Sequence, residues 1–448
     1  MTAILRALRA GLKNAFKVVL IGFFVLLSQV AIAGVFYSIP GAGLLLLVNV
    51  ISFIGVSLYV SRKNYASRTD KSIYYKFFVL RTVLIVVCLA CLFHINQSGT
   101  TVLSLFLGAA PGQFFIFGAV GAIIGMVALF RRSVRFGLII TLSSASILLA
   151  STIVMSTQAN YANANGISLT NQELWSSEDP VPRSPDRVVE FPTSESQKLS
   201  ALLWEPAAET IATRPTIVML HGGGFASGSP ADMAPTASLL ADRGYSVFSI
   251  EYRLAPPERW KDATDDVVHF MQWLEVNRLS QGIESTKVVL LGNSAGGSLA
   301  LNVAYGLKSG TIDTGEFPPT PPVGVAGVYP AADLTKLYES TRFQNPQPVL
   351  ELYVGGSPSA VAAHWEYANP ASKIVPGLPP TLIVTGQNDH LVYSEHVSSF
   401  TDDVESKGND IQLITVPYGD HSFDARFNSP GSAIKRGVLL RWLDDLSR

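Results

Sequence analysis

A serine flanked by small residues sits in Gly292-Asn-Ser294-Ala295-Gly296-Gly297, directly after the apolar run Val288–Leu291. A strand that turns sharply into a helix at such a serine presents its hydroxyl for attack on a carbonyl carbon. Gly292 and Gly296 suit the close crossing of strand and helix that the turn requires. The residues that follow, Ser298-Leu-Ala-Leu-Asn-Val-Ala, read as the helix, whose N-terminus favours developing negative charge. A serine nucleophile needs a base, and the base needs an orienting acid.

A second group of residues suits the same chemistry. His221-Gly222-Gly223-Gly224-Phe follows the predicted strand Thr216–Leu220. Consecutive glycines let backbone N–H groups face a ligand with no side chain in between. Such donors can hold the oxyanion of a tetrahedral intermediate in acyl transfer. The base and acid are expected in the chain order serine, acid, histidine. His421 follows the predicted strand Ile411–Val416, and Asp389 follows Thr381–Thr385; both lie where open α/β sheets place ligands. His94 lies in an apolar run, while His269, His364 and His396 fall within helical patterns. His390 neighbours the proposed acid. Asp420 is the alternative acid, but it adjoins His421, and adjacent side chains rarely aim at one another; Asp389 is preferred.

Taken together, His221-Gly-Gly-Gly, Tyr252-Arg-Leu-Ala-Pro256 with Asp265-Asp266, Gly292-Asn-Ser-Ala-Gly-Gly297 and the Asp389 and His421 loops resemble the hormone-sensitive-lipase-like esterases of the α/β-hydrolase superfamily. The related carbohydrate-esterase-like branch is also close, through Tyr353-Val-Gly-Gly-Ser-Pro358. The likeness runs over about 188–448. It implies Ser294 as nucleophile, His421 as base and Asp389 as its orienting acid. It implies the N–H groups of Gly223, Gly224 and Ala295 as the oxyanion hole, with His221 bracing the loop and taking no part in proton transfer. Two features depart from the family. Asn293 stands where the family often has Asp, and the usual N-terminal cap is replaced, so substrate selection by a cap does not carry over.

The surrounding pattern supplies elements to position these residues. Apolar, β-branched runs at Val188–Phe191, Leu199–Trp204, Thr216–Leu220, Ser246–Tyr252, Val288–Leu291, Val325–Tyr329, Thr381–Thr385 and Ile411–Val416 alternate with helical stretches near 231–242, 263–277, 296–307, 358–367, 392–407 and 432–446. This alternation predicts an α/β fold with a mostly parallel sheet covered on both faces. The first two strands are close enough for an antiparallel hairpin.

The rest of the chain is different in kind. Residues 1–156 carry 13 Lys/Arg and one acid, a net of +12, which leaves 20 bases and 33 acids, a net of −13, for 157–448. Five apolar windows, 18–37, 42–60, 77–95, 113–130 and 136–156, each approach the length of a membrane span. The stretch 101–130 holds Pro111 and Gly112 and reads as one helix or as a re-entrant piece plus a helix. Basic residues precede the first window and lie between the second and third and between the fourth and fifth; the alternate connections have none. The positive-inside rule then predicts a cytoplasmic N-terminus, five crossings and an outward C-terminal part. A bacterial inner membrane with a periplasmic or extracellular domain is the expected location. Gly118, Gly121 and Gly125 offer small faces for helix packing.

The expected organisation is therefore a helical membrane region at 1–156, a linker or short lid at 157–187 and an α/β-hydrolase domain at 188–448. Cys88 and Cys91 both lie in an apolar run and read as helix-packing residues. No metal-binding pattern stands out, so no metal or cofactor is expected. The domain carries no basic stripe, which argues against nucleic acid. The expected function is hydrolysis of a small-molecule, lipid or glycan ester at a membrane, with an acyltransferase or deacetylase of envelope glycans or lipids as the alternative. A non-catalytic membrane scaffold would have no need of nucleophile, base, acid and glycine loop together.

Overall fold

The computed structural model describes residues 108–176, 178–193, 197–207, 214–340 and 345–447, together with residues 20, 23 and 24. The chain divides into two compact units, one of residues 1–160 with 170–177 and one of 161–169 with 178–448.

The first unit holds α1 (Pro111–Phe130), the short α3 (Asn171–Trp175) and all of α2 (Val134–Ala164) but its last four residues, which belong to the second. Two of the five predicted windows fall on α1 and α2, which contain 18-residue stretches of mean hydropathy 2.2 and 2.1 and are long enough to cross a membrane. The windows 18–37, 42–60 and 77–95 lie outside the described residues, apart from positions 20, 23 and 24. Pro111 opens α1 at its first turn, where a missing N–H costs nothing. Residues 111–130 thus form one helix. A Cβ on Gly118 would press on Leu148, one on Gly121 on Ser144 and one on Gly125 on Thr141. The contacts descend along α2 as they ascend along α1, so the two helices pack antiparallel through these glycines.

The predicted linker at 157–187 needs correction. The helix continues eight residues past 156, through Ala164, because Gln158, Ala159 and Ala162 are good helix formers. It stops at Gly166, whose φ is +66°, with the N–H of Ile167 donating to the Ala162 carbonyl at 2.8 Å. Residues 178–186 are pinned to the second unit. Trp204 Nε1 donates to the Arg183 carbonyl at 2.8 Å, and the Asn428 N–H donates to Asp179 Oδ1 at 2.7 Å.

The second unit is an eight-stranded sheet of β1 (Arg187–Pro192), β2 (Lys198–Trp204), β3 (Thr216–Leu220), β4 (Val247–Ile250), β5 (Val288–Asn293), β6 (Gly324–Val328), β7 (Thr381–Gly386) and β8 (Ile411–Val416), in the order β1-β2-β4-β3-β5-β6-β7-β8. β1, β2 and β4 pair antiparallel, and all the other pairs are parallel. The helices are α4 (Ala234–Asp242), α5 (Asp262–Asn277), α6 (Ala295–Ser309), α7 (Leu334–Glu339), α8 (Gln347–Val354), α9 (Ala362–Ala368), α10 (Ser394–Ser406) and α11 (Pro430–Leu446). They lie on both faces of the sheet, which explains why every residue of β3 is buried. Val218 and Leu220 enter one core with Val267, Phe270 and Leu274 of α5. Ile217 and Met219 enter the other with Ile434, Val438 and Leu443 of α11. The predicted α/β fold with an initial antiparallel hairpin is the one observed. α7 and α8 were not anticipated.

Candidate active site

Three loops at the C-terminal ends of the parallel strands meet at Ser294. The serine lies between β5 and α6 with φ +53° and ψ −120°. That conformation is costly for a residue with a side chain. It persists because its surroundings fix it: the Ser294 N–H donates to the Val328 carbonyl at 2.8 Å. A Cβ at Gly296 would run into the carbonyls of Leu220 and His221, and one at Gly292 into that of Gly296, so the elbow closes only with these residues.

His421 lies in the loop after β8. Its Nε2 is 2.9 Å from Ser294 Oγ, and its Nδ1 is 2.9 Å from Asp389 Oδ2. Asp389, buried after β7, is held by the N–H groups of Leu391 at 3.0 Å and Val392 at 2.7 Å, both donating to Oδ1. Oδ2 is thereby aimed at the imidazole. Asp420 points elsewhere: its Oδ2 is 2.8 Å from His390 Nδ1. Burial acts to lower the His421 pKa, but the charge of Asp389, its hydrogen bond and the charges of Asp420 and Asp424 outweigh it, so the value lies above the ordinary one. The imidazolium is favoured where a proton would arrive from Ser294.

The glycine loop faces the same point. A Cβ on Gly222 would stand 3.3 Å from that of Ser294, which places the loop against the serine. Gly223 has φ +121°, a conformation open to glycine and little else. Among the described residues no acceptor takes the N–H of Gly223, Gly224 or Ala295. These three donors are therefore available to a ligand. His221 is buried, and burial lowers its pKa below the ordinary histidine value. It stacks on Tyr252 at 4.4 Å between centroids, and the Tyr252 hydroxyl donates to the His221 carbonyl at 2.7 Å. Tyr252 is fixed in turn by its neighbour: the Arg253 guanidinium grips Asp266, with Nη2 at 2.8 Å from Oδ1 and Nε at 3.0 Å from Oδ2. The motif Tyr252-Arg-Leu-Ala-Pro256 with Asp265-Asp266 thus supports the glycine loop from behind.

Sequence reasoning missed one group here. The Tyr329 hydroxyl donates to Asp424 Oδ1 at 2.7 Å and accepts from Asn293 Nδ2 at 3.2 Å. Asp424 also binds Lys435 Nζ, at 2.6 Å from Oδ2. Only the departure at Asn293 hinted that something unusual adjoins the serine.

Residues 217–425 match the family described as alpha/beta hydrolase fold, a span that contains Ser294, Asp389 and His421. The "Probable carboxylic ester hydrolase LipM" of Mycobacterium tuberculosis is 26% identical over 231 residues, 50% of this chain and 52% of that protein. The acetyl-hydrolase of Streptomyces hygroscopicus is 31% identical over 187 residues, 39% of this chain and 58% of that protein. The chain spans about half the length of the curated relatives it matches. Among solved structures, bacterial heroin esterase superposes with a TM-score of 0.50 at 21% identity, covering 58% of this chain and 84% of that one. Sheet order and these likenesses agree that the part of the chain carrying Ser294 has the α/β-hydrolase fold.

Proposed function

We propose that the protein is a serine hydrolase of carboxylic esters, anchored in a membrane by its N-terminal helices. The supporting observation is the continuous chain Ser294 Oγ–His421 Nε2–Asp389, 2.9 Å at each link, beside unengaged N–H groups. In the acylation step Ser294 Oγ bonds to the ester carbonyl carbon while its proton passes to His421 Nε2. Asp389 holds the imidazole in the tautomer that accepts at Nε2 and stabilises the imidazolium. The carbonyl oxygen takes the negative charge, held by the N–H groups of Gly223, Gly224 and Ala295. His421 then returns the proton to the departing alcohol as the carbon–oxygen bond breaks. Water, activated by the same histidine, releases the acid and restores the serine.

The relatives' names, carboxylic ester hydrolase and acetyl-hydrolase, support small esters with short acyl groups. The length and hydropathy of α1 and α2 and the segregation of charge support membrane attachment with an outward-facing domain. The test is covalent labelling of the detergent-purified chain with a fluorophosphonate, followed by peptide mass spectrometry. Adduct on Ser294, lost in His421→Ala, is expected. An unlabelled wild type, or adduct unaffected by His421, would overturn the reading. Acyl transfer to an added alcohol in preference to water would make the enzyme a transferase on the same acyl-enzyme.

A further inference from the structure

We propose that Tyr329 and Asp424 are positioning residues for His421: a buried hydroxyl–carboxylate pair that fixes the face of the imidazole and ties it to the residue preceding the nucleophile. The inference rests on the hydrolase reading above and adds a second acidic support to it.

The geometry is specific. The Tyr329 ring lies 4.6 Å from the imidazole, centroid to centroid, at 57° between planes. The tyrosine follows β6 with φ +41°, a strained value for a residue with a side chain, and its N–H donates to the Val384 carbonyl at 2.7 Å. One hydroxyl therefore connects three segments: Asn293 at the end of β5, Tyr329 itself after β6, and Asp424 three residues beyond His421. Lys435 on α11 anchors the far end, with both side chains of the Asp424–Lys435 pair only 5% exposed. Lys435 Nζ also donates to Thr236 Oγ1 at 3.2 Å. A buried ion pair is a weak source of stability compared with apolar packing of the same volume. Its location beside the base gives it another use.

The groups facing His421 are Ser294, Asp389 and Tyr329, with the Asp420 carboxylate accepting its backbone N–H at 2.7 Å. Among the described residues, those facing Tyr329 are His421, Asn293, Ser422, Phe423 and Asp424, and those facing Asp424 include Tyr329 and Lys435. When the proton leaves Ser294 Oγ for His421 Nε2, the new positive charge lies in the field of Asp424 as well as that of Asp389. The Tyr329 ring blocks a tilt of the imidazole out of line with the serine. Asp424 stays ionised for this role: burial would raise its pKa, but the Lys435 charge and hydrogen bonds from Lys435 and Tyr329 bring it below the usual carboxylate value.

The experiment compares full-length wild type, Tyr329→Phe and Asp424→Asn in detergent. It measures kcat and KM for p-nitrophenyl acetate across pH, normalised to fluorophosphonate-labelled sites. Tyr329→Phe keeps the ring and removes the tie, so kcat should fall roughly tenfold at unchanged KM, as small losses of alignment do. Asp424→Asn removes a negative charge near the base, so the acid limb of the kcat/KM profile should move to lower pH. A purely structural pair would lower thermal stability and leave kcat per labelled site and the pH profile as in wild type; that result overturns the proposal. If Asp424→Asn does not fold, the kcat–KM split of Tyr329→Phe decides alone. A wild type that neither labels nor turns over is a separate failure, of the hydrolase reading itself, and takes this inference with it.

Discussion

Asp420 accepts from the side chain of His390 and leaves the side chain of its own neighbour, His421, to Asp389 across the sheet end. The two carboxylates stand in the same region, yet their partners separate their roles. Asp389→Asn should lower kcat by about 10⁴-fold, because the amide no longer stabilises the imidazolium or fixes its tautomer. Asp420→Asn keeps an acceptor for the backbone N–H of His421. It should cost about 1.5–3 kcal/mol of stability through the weakened contact with His390 while kcat changes little. Steady-state rates with p-nitrophenyl acetate and thermal melts of both variants check this.

The pH dependence follows from His421. The imidazole accepts the serine proton only when neutral, and its pKa is raised above the ordinary histidine value of about 6.5. Activity should therefore fall as pH drops through a value above 6.5, and reach its plateau on the alkaline side. The stability linked to the same group has the opposite sign: a raised pKa contributes stability below the unfolded value that is lost as pH rises through the folded one. A kcat/KM profile and unfolding measured at several pH values test both. An acid limb centred below 6.5 would contradict the raised pKa of His421.

Breaking the pair under the site should be costly. Lys435→Met leaves Asp424 buried beside Tyr329 with no cation, and should destabilise the domain by about 3–5 kcal/mol. Because the pKa of Asp424 is depressed in the folded protein, the stability it contributes is present above its unfolded value and declines as pH falls through the folded one. The loss in Lys435→Met should accordingly shrink in acid, where Asp424 is protonated. Denaturant midpoints at neutral and acidic pH give the comparison.

The glycine loop has little room beside the serine. In Gly222→Ala the new methyl group would stand 3.2 Å from the Asn293 carbonyl oxygen and 3.3 Å from Ser294 Cβ, tighter than ordinary contact. The loop must retreat by a few tenths of an ångström, which takes its donors off the oxyanion. A fall in kcat of about 10²-fold, the size of losing one such donor, is expected at near-normal stability. Rate and melting temperature measured together separate this from misfolding.

Much of this arrangement was legible in the residues, and the exceptions have physical causes. The β-branched runs buried on both faces and the turn residues at Gly292 and Gly223 carry their signals locally, so the alternation of strands and helices and the strand-end positions of Ser294, Asp389 and His421 were legible, whereas the order of strands in the sheet was not anticipated. α7 and α8 could not: at six and eight residues they are too short to establish a helical period. A cap signal was present, since Asp333 accepts from the N–H groups of Thr335 and Lys336. The continuation of α2 past 156 was hidden by its polar composition, although Asn165-Gly166 marked the stop. Tyr329, Asp424 and Lys435 come from three separate segments, and nothing in one sequence links them. Three of the five apolar windows lie outside the described residues, so the crossing number rests on sequence alone.

Ester hydrolysis at Ser294 is tested by comparing full-length wild type and Ser294→Ala on p-nitrophenyl esters across acyl lengths. Turnover by wild type is expected to be greatest with short acyl groups and to be reduced to background by the substitution. Equal rates from the two proteins would contradict it.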